Sequence, residues 1–296
     1  MFLALFFFYI VMFSFFFIGT IHYKNTSKKI LEISGISIIV AIRDGGESTK
    51  NIIQYLKDQI YEKEMEFILV DDDSSDNTKN IIKEISKEDP RFKYISSTGG
   101  DKMLQRKQKA LDAGIRKASF NHLLFTDVDC YIPKKWVAMM AKYYSSGYNY
   151  LVGNSIIRSN NKFNFVSAFQ RIDFLLLMII CRASSYFRYP WACTGQNQGF
   201  TKELYEKAGG FTKINHFIGD DTAFMHLCRA YNSKLCFIDN LEASVNPRIE
   251  THLIQFISQR IRWVSDANKM WKLNISFFII MLITFLFYIS IPITIL

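Results

Sequence analysis

The sequence predicts an α/β fold: a mostly parallel, doubly wound sheet with an apolar helix at each end. Three observations carry this expectation. Short β-branched apolar runs alternate with longer helical stretches between Ser34 and Thr126, two of the runs end in clustered aspartates, and both ends of the chain are uncharged. Alternation of this kind builds strand–helix–strand units whose strands lie parallel. Ligands of such sheets bind at the carboxyl ends of strands, and both acid clusters fall there.

Taken in order, Ile36 to Ile42 is a β-branched run suited to a fully buried strand. Arg43-Asp44-Gly45-Gly46 then turns the chain, and Glu47 to Tyr61 reads as a helix. Phe67 to Val70 is the second strand, followed by Asp71-Asp72-Asp73; Asp76 to Lys87 is helical, with Asp76 as its N-cap. Phe92 to Ile95 is a short third strand. Leu104, Lys107, Leu111 and Ile115 set a helical period from Leu104 to Ala118, and His122 to Thr126 is a fourth strand leading into Asp127-Val128-Asp129. Past Pro133 the periodicity weakens. Phe165 to Cys181 contains an apolar stretch of about ten residues, Phe174 to Cys181 included, too short to cross a bilayer, and reads as a buried or interfacial helix. Trp191 to Phe200, Gly209-Gly210-Phe211 and Ile218 to Asp221 read as loops, and Thr222 to Ala230 as a helix. With the ends removed about 250 residues remain, enough for one α/β core covered on both faces.

The ends are of another kind. Met1 to Ile21 has eight Phe and no charge, and Ile275 to Leu296 is an uncharged stretch of 22 residues. At 1.5 Å per residue each reaches roughly the 30 Å of a bilayer's hydrocarbon core. The first lacks the basic n-region and small-residue cleavage pattern of a signal peptide, so it reads as an uncleaved anchor. Lys24, Lys28 and Lys29 follow it, and Lys269 and Lys272 precede the second. The positive-inside rule then puts the middle of the chain in the cytoplasm, at the cell's inner membrane. This divides the chain into an anchor at 1–22, a domain at 34–270 and a second membrane helix at 275–296. A net charge of +9 favours anionic headgroups and phosphorylated substrates. Nothing resembles a basic–aromatic helix or a zinc finger, so nucleic acid is not an expected partner. The five cysteines have no C-x-x-C spacing and read as reduced, buried, small apolar residues.

Each chemistry-bearing cluster has a plainer reading beside the functional one. Asp71 to Asp76 would also serve as an acidic turn. An EF-hand is excluded, because neither Asp71 nor Asp72 as first ligand gives Gly at the sixth position or Glu at the twelfth. Asp71-x-Asp73 after a strand also imitates an aspartyl-nucleophile phosphatase. Asp127 and Asp129 could hold a hard divalent ion that also binds a diphosphate. Asp220-Asp221 could cap a helix, or supply a general base, since one acid raises the pKa of the other. Gln259-Arg260-Ile261-Arg262-Trp263 fits a membrane-proximal amphipathic helix. It also places Gln259 and Arg262 on one face, suited to sugar hydroxyls and phosphate oxygens. The five histidines lack i, i+4 metal spacing and read as structural, although His252 could reach a diphosphate.

From Ser37 to Trp263 the chain resembles the membrane-bound, inverting family 2 glycosyltransferases of the GT-A, Rossmann-like fold. Ile36 to Asp44 is similar to their first strand and nucleotide-binding turn. Val70 to Thr78 is similar to V-D-D-x-S-x-D-x-T, and Leu124 to Cys130 to the strand bearing D-x-D. Gly195-Gln196-Asn197 through Gly210-Phe211 matches an acceptor-side stretch, Gly219-Asp220-Asp221 stands in place of G-E-D, and Gln259 to Trp263 matches Q-x-x-R-W. The resemblance implies that Ala41, Arg43, Asp71 and Asp72 contact the nucleotide. It implies that Asp127 and Asp129 hold ribose and Mg²⁺ or Mn²⁺, that Lys107 contacts phosphate, and that Asp221, beside Asp220, is the catalytic base. Gln259, Arg262 and Trp263 would close over the diphosphate and acceptor.

Asp44 departs from the usual Asn, Asp220 from Glu, and Arg106-Lys107 from Gly-Lys. Processive members thread polymer through several membrane helices. Two apolar ends favour transfer of a single sugar, from a nucleotide-sugar, most simply a UDP-sugar, to a glycan or lipid-linked acceptor. A catalytically silent glycan-binding or scaffolding module, and the phosphatase, are the alternatives.

Overall fold

In the computed structural model, which describes residues 2–24, 28, 30–158, 164–214, 220–264 and 274–295, four strands follow the four predicted apolar runs. They are β1 (Gly35–Ile42), β2 (Glu64–Asp71), β3 (Phe92–Ser96) and β4 (His122–Phe125). Three more follow: β5 (Tyr150–Gly153), β6 (Gln198–Thr201) and β7 (Leu235–Ile238). They form one sheet in the order β3-β2-β1-β4-β6-β5-β7. Strands β3, β2, β1 and β4 are mutually parallel, β6 runs antiparallel to both β4 and β5, and β7 is parallel to β5. The sheet is therefore mostly parallel with one reversed strand. Because β2 and β4 flank β1, the chain crosses over in opposite directions at β1, which opens a crevice above the carboxyl ends of these three strands.

Helices cover both faces. On one side α2 (Gly46–Lys57), α3 (Thr78–Glu88) and α5 (Trp136–Tyr144) bury a core that includes Ile36, Ile38, Val40, Ile52, Phe67 and Trp136. On the other α4 (Arg106–Lys117), α6 (Phe165–Tyr186), α7 (Lys202–Lys207) and α8 (Asp220–Ala230) bury Ile39, Ile68, Leu111, Phe125, Phe200 and Phe224. A fully buried strand needs apolar residues pointing both ways, which is why β1 reads as a continuous run. Gly114 lets α4 lie close on the sheet, since a Cβ there would come within 2.6 Å of Ile39 Cγ2.

The boundaries correct several expectations. The first helix ends at Lys57, not Tyr61, because Ile60 N leaves it to donate to Lys134 O at 2.7 Å. The helix predicted from Leu104 begins at Arg106, since Leu104 N closes a turn on Asp101 O. Asn77, rather than Asp76, is the N-cap of α3. The stretch read as loop from Trp191 to Phe200 contains the start of β6, and α5, β5 and β7 were not anticipated. The apolar helix expected near Phe165 extends to Tyr186 and shows an exposed apolar face. All five cysteines are free and buried, as expected.

At the ends lie α1 (Phe2–His22) and, after α9 (Leu253–Val264), α10 (Ile275–Ile295). Among the described residues one helix, Leu3–His22, is long and apolar enough to cross a membrane, and nearly all of it is exposed. In α10 the corresponding apolar stretch is the shorter Phe278–Phe287. The two end helices meet: the Tyr9 and Phe287 rings stack at 4.7 Å.

Candidate active site

The rim above β1 and β2 is knitted by its own polar groups. Asp44, in the turn after β1 at φ 48°, accepts at Oδ1 from Ser75 N (2.7 Å), Ser75 Oγ (3.0 Å) and Asp76 N (3.3 Å). Its own N–H donates to Ser74 Oγ at 3.0 Å. Asp76 accepts from Thr78 N and Gly46 N, both at 2.9 Å, and Thr78 Oγ1 accepts from Gly45 N. The motif's Ser, Asp and Thr thus tie one loop to the other. These bonds favour the ionised carboxylate: the Ser75 N–H pulls Asp44 below the ordinary aspartate range, and Thr78 does the same for Asp76. Asp71, buried at the end of β2, accepts from Ser74 N at 3.1 Å. Asp72 N donates to Ile42 O at 2.8 Å, while its side chain makes no hydrogen bond among the described residues and is half-buried. Ala41 sits in β1 opposite Val70 and Arg43 is exposed in the turn, so the structure brings all four predicted nucleotide contacts to this rim.

Across β1 the second cluster is electrostatically open. Lys107, in the first turn of α4, donates to Asp127 Oδ1 at 2.6 Å. Asp221, in the first turn of α8, accepts from Gly195 N at Oδ2 and from Thr222 N at Oδ1, both at 2.7 Å. A methyl placed on Gly195 would sit 3.5 Å from Asp221 Oδ2 and 3.6 Å from Lys107 Nζ, and Lys107 in turn reaches Asp127, so these three side chains converge here. Burial pushes the Asp221 carboxyl above its ordinary value, against the two backbone N–H groups and the Lys107 charge. Burial first, then the Asp127 carboxylate, pushes Asp129 up as well. Among the described residues no group of three or more His, Cys, Asp or Glu is arranged to hold a metal. The fit is that of a half-site. Two hard carboxylates repel each other here, a cation between them would relieve that repulsion, and such cations ordinarily complete their shell with substrate phosphates and water.

Gln259 lies on α9, half-buried, with its amide oxygen enclosed and without a hydrogen-bond partner among the described residues. Arg262 and Trp263 are on the same helix, but their side chains fall outside the described residues, as do Gly219 and the side chain of Asp220. Two features escaped sequence reasoning. The backbone N–H groups of Gly195 and Thr222 orient Asp221, and only the Gly in G-Q-N hinted at the first. Asn197, read as part of an acceptor-side stretch, is instead fully buried: it accepts from Trp136 Nε1 and donates to Asn154 O and Ala243 O. His226 is structural as expected, donating to Trp191 O and accepting from Arg229, with burial lowering its pKa to about 4.

The family model described as glycosyl transferase family 2 matches residues 37–210, more than half of the chain. The chain belongs to this family. It is 27% identical over 169 residues to a poly-beta-1,6-N-acetyl-D-glucosamine synthase of Staphylococcus aureus, covering 55% of this chain and 39% of that protein. It is 24% identical over 179 residues to a Campylobacter jejuni GalNAc(5)-diNAcBac-PP-undecaprenol beta-1,3-glucosyltransferase, covering 57% and 56%. The chain therefore spans well under two thirds of the length of these relatives. Among solved structures it is similar to the mannosyltransferase PcManGT of Pyrobaculum calidifontis, solved with GDP-Man and Mn²⁺. That likeness has a TM-score of 0.61 at 16% identity and covers 89% of this chain and 73% of the other. S. aureus TarS 1-349 with UDP-GlcNAc gives 0.50 at 16% identity, over 73% and 60%. These likenesses place the family 2 domain in the GT-A fold.

Proposed function

We propose that this family 2 protein is an inverting, metal-dependent hexosyltransferase. It moves one sugar per encounter from a nucleotide-sugar, most simply a UDP-sugar, to a glycan or lipid-linked acceptor. The observation that carries the reading is the setting of Asp221, a half-buried carboxylate aimed by two backbone N–H groups beside the Lys107–Asp127 pair. A carboxylate oriented this way and disfavoured in its charged form is suited to take a proton.

In this mechanism the β1–β2 rim seats the base and ribose through Ala41, Arg43, Asp71 and Asp72. Asp221 removes the proton from the acceptor hydroxyl as its oxygen bonds to the anomeric carbon. The bond to the nucleoside diphosphate breaks in the same step, so the configuration inverts. A Mg²⁺ or Mn²⁺ held by Asp127 and Asp129 would, when bound, neutralise charge on the leaving diphosphate. Lys107 adds a cation on the same side, and Asp220 supports the base. Gln259, Arg262 and Trp263 of the Q-x-x-R-W segment close over diphosphate and acceptor and exclude water. Positioning and charge complementarity supply most of the acceleration.

Residues 1–22 and 275–296 would anchor the domain at 34–270 to the inner membrane with its site in the cytoplasm. The apolar α1 and the lysines that follow it support this. The test is nucleoside-diphosphate release from a panel of UDP- and GDP-sugars, with and without Mn²⁺, in membranes carrying wild type or Asp221→Asn, with total lipid extract as acceptor. Metal-dependent release from one donor that collapses in the variant bears the proposal out. No release from any donor would leave a catalytically silent glycan-binding module.

A further inference from the structure

A cleft of about 540 Å³ shares Asp129 with the proposed metal pair and is otherwise lined by residues the reaction above does not use, among them Tyr131, Arg158, Arg248, Glu250 and His252. Two of these side chains are guanidinium cations and a third is an imidazole, against Glu250 and Asp129. Arg158 is held in place: its N–H donates to Asn246 Oδ1 at 3.1 Å and its guanidinium lies 5.9 Å from the Tyr131 ring centre. Arg248 is exposed.

The rim of the cleft is fastened to a surface of opposite character. Gln170 of α6, buried, donates to Glu250 O at 2.7 Å and accepts from Glu250 N at 3.3 Å, and Asn164 donates to Thr251 O at 3.3 Å. From the same helix Phe165, Phe169, Ile172 and Leu176 are exposed at one-face spacing. Helix α9 starts at the rim and exposes Leu253, Ile254, Ile257 and Ile261. The Phe169 and Phe256 rings meet edge-on at 5.7 Å, joining the two helices. An exposed apolar area of this kind marks a binding surface. Its occupant is indicated by α1, the helix able to cross a bilayer, which packs along α6. Phe15 stacks on Phe187 at 3.8 Å, and a Cβ on Gly19 would lie 2.8 Å from Ala183 O. Hydrocarbon is thus brought to the layer that contains the apolar face.

The geometry points to a binding site for a single-chain lipid phosphate, the carrier end of a lipid-linked acceptor. Its phosphates sit against Arg158, Arg248 and His252 in the cleft, and its hydrocarbon runs along the apolar faces of α6 and α9. Guanidinium groups bind phosphate in bidentate fashion, and the two of them here suit a group with two or more negative charges better than a phosphodiester with one. Asp129 lines the same cleft, so a sugar on that phosphate would point towards the proposed catalytic centre. The inference rests on the glycosyltransferase reading.

The test uses the full chain in detergent with EDTA, which disables the metal half-site, and measures binding of farnesyl diphosphate, farnesol, inorganic pyrophosphate and dioctanoyl phosphatidylglycerol. Farnesyl diphosphate is expected to saturate and to bind at least about tenfold more tightly than the other three. Arg158→Gln and Arg248→Gln should each weaken it about tenfold, the scale of one lost charge-assisted contact. Ile254→Gln, at an exposed position that cannot disturb the core, should weaken farnesyl diphosphate but not pyrophosphate. Equal binding of phosphatidylglycerol would reduce the cleft to a general headgroup contact, and equal binding of pyrophosphate would make it a free-phosphate site; either overturns the proposal, as does indifference to all three substitutions. Binding of UDP and of GDP with Mn²⁺ by the wild type is measured beside it. If either nucleotide binds and farnesyl diphosphate does not, the lipid site alone fails; if neither nucleotide binds, the glycosyltransferase reading fails.

Discussion

The two aspartate clusters on either side of β1 are built from the same residue type and have opposite electrostatics. At the β1–β2 rim Asp44 and Asp76 are supplied with backbone and hydroxyl donors, and their carboxyls are held below the usual range. At the β4–α8 rim Asp129 and Asp221 are pushed above it by burial, helped for Asp129 by its neighbour's charge. At the first rim Asp44 and Asp76 have spent acceptor capacity on holding two loops together. The second keeps capacity for a cation and a proton. A run of acids in a sequence therefore says little until its donors are counted, because satisfaction by the chain itself separates a structural staple from reactive chemistry.

The sharpest way to break this contrast is at the base. Asp221→Asn should lower turnover by about 10²–10⁴-fold, as loss of a general base does, in the nucleoside-diphosphate release assay; a loss below tenfold would remove the second cluster from the chemistry. The acid limb of the wild-type pH–rate profile should also lie above the ordinary aspartate pKa, because a carboxyl with a raised pKa is protonated, and idle as a base, at pH values where a free one is ionised. Nearly as large is the effect expected from Asn197→Ala. It orphans the Trp136 indole N–H and the buried Ala243 O and leaves Asn154 O with Val245 N as its donor, a loss of about 3–5 kcal/mol visible as a fall in chemical-denaturation midpoint. A stability loss under about 1 kcal/mol would return Asn197 to the acceptor side. Asp129→Asn should weaken Mn²⁺ binding in the presence of UDP by roughly 10–100-fold, read by calorimetry, while leaving metal-free UDP binding in place. The smallest change is expected at the stapled rim. Asp44→Ala should lower the melting temperature modestly at neutral pH. Its folded pKa is depressed, so its contribution exists above the unfolded aspartate pKa and fades as pH falls through the folded one. Wild type and variant should converge in acid, and a difference that grew on acidification would contradict the staple.

Most of the left half of the sheet was legible, because β1, β2 and β4 are buried on both faces and announce themselves as unbroken apolar runs. The right half was not. Strand β6, Gln-Gly-Phe-Thr, carries its identity in pairings with β4 and β5 far away in sequence, and its composition is that of a loop. The acids were legible as types and positions, but their roles were not. Nothing in Asp44 by itself foretells three donors from a loop about thirty residues on, nor does Asn197 betray that it bonds Trp136 across the core. Backbone N–H groups, which orient Asp221, leave no residue signature at all.

One contact of α1 has a practical consequence. Tyr23, just past its end, donates its hydroxyl to Phe237 O at 2.9 Å and accepts from Phe237 N at 2.7 Å. Strand β7 is the last in the sheet, and Phe237 faces away from β5 with both its backbone polar groups. Free outer edges recruit other strands and seed aggregates. The phenol therefore works as a cork in an open seam: a version trimmed before Ser34 would lose the apolar helix α1 and bare a sticky border in the same cut, whereas one starting at Tyr23 would keep the border closed.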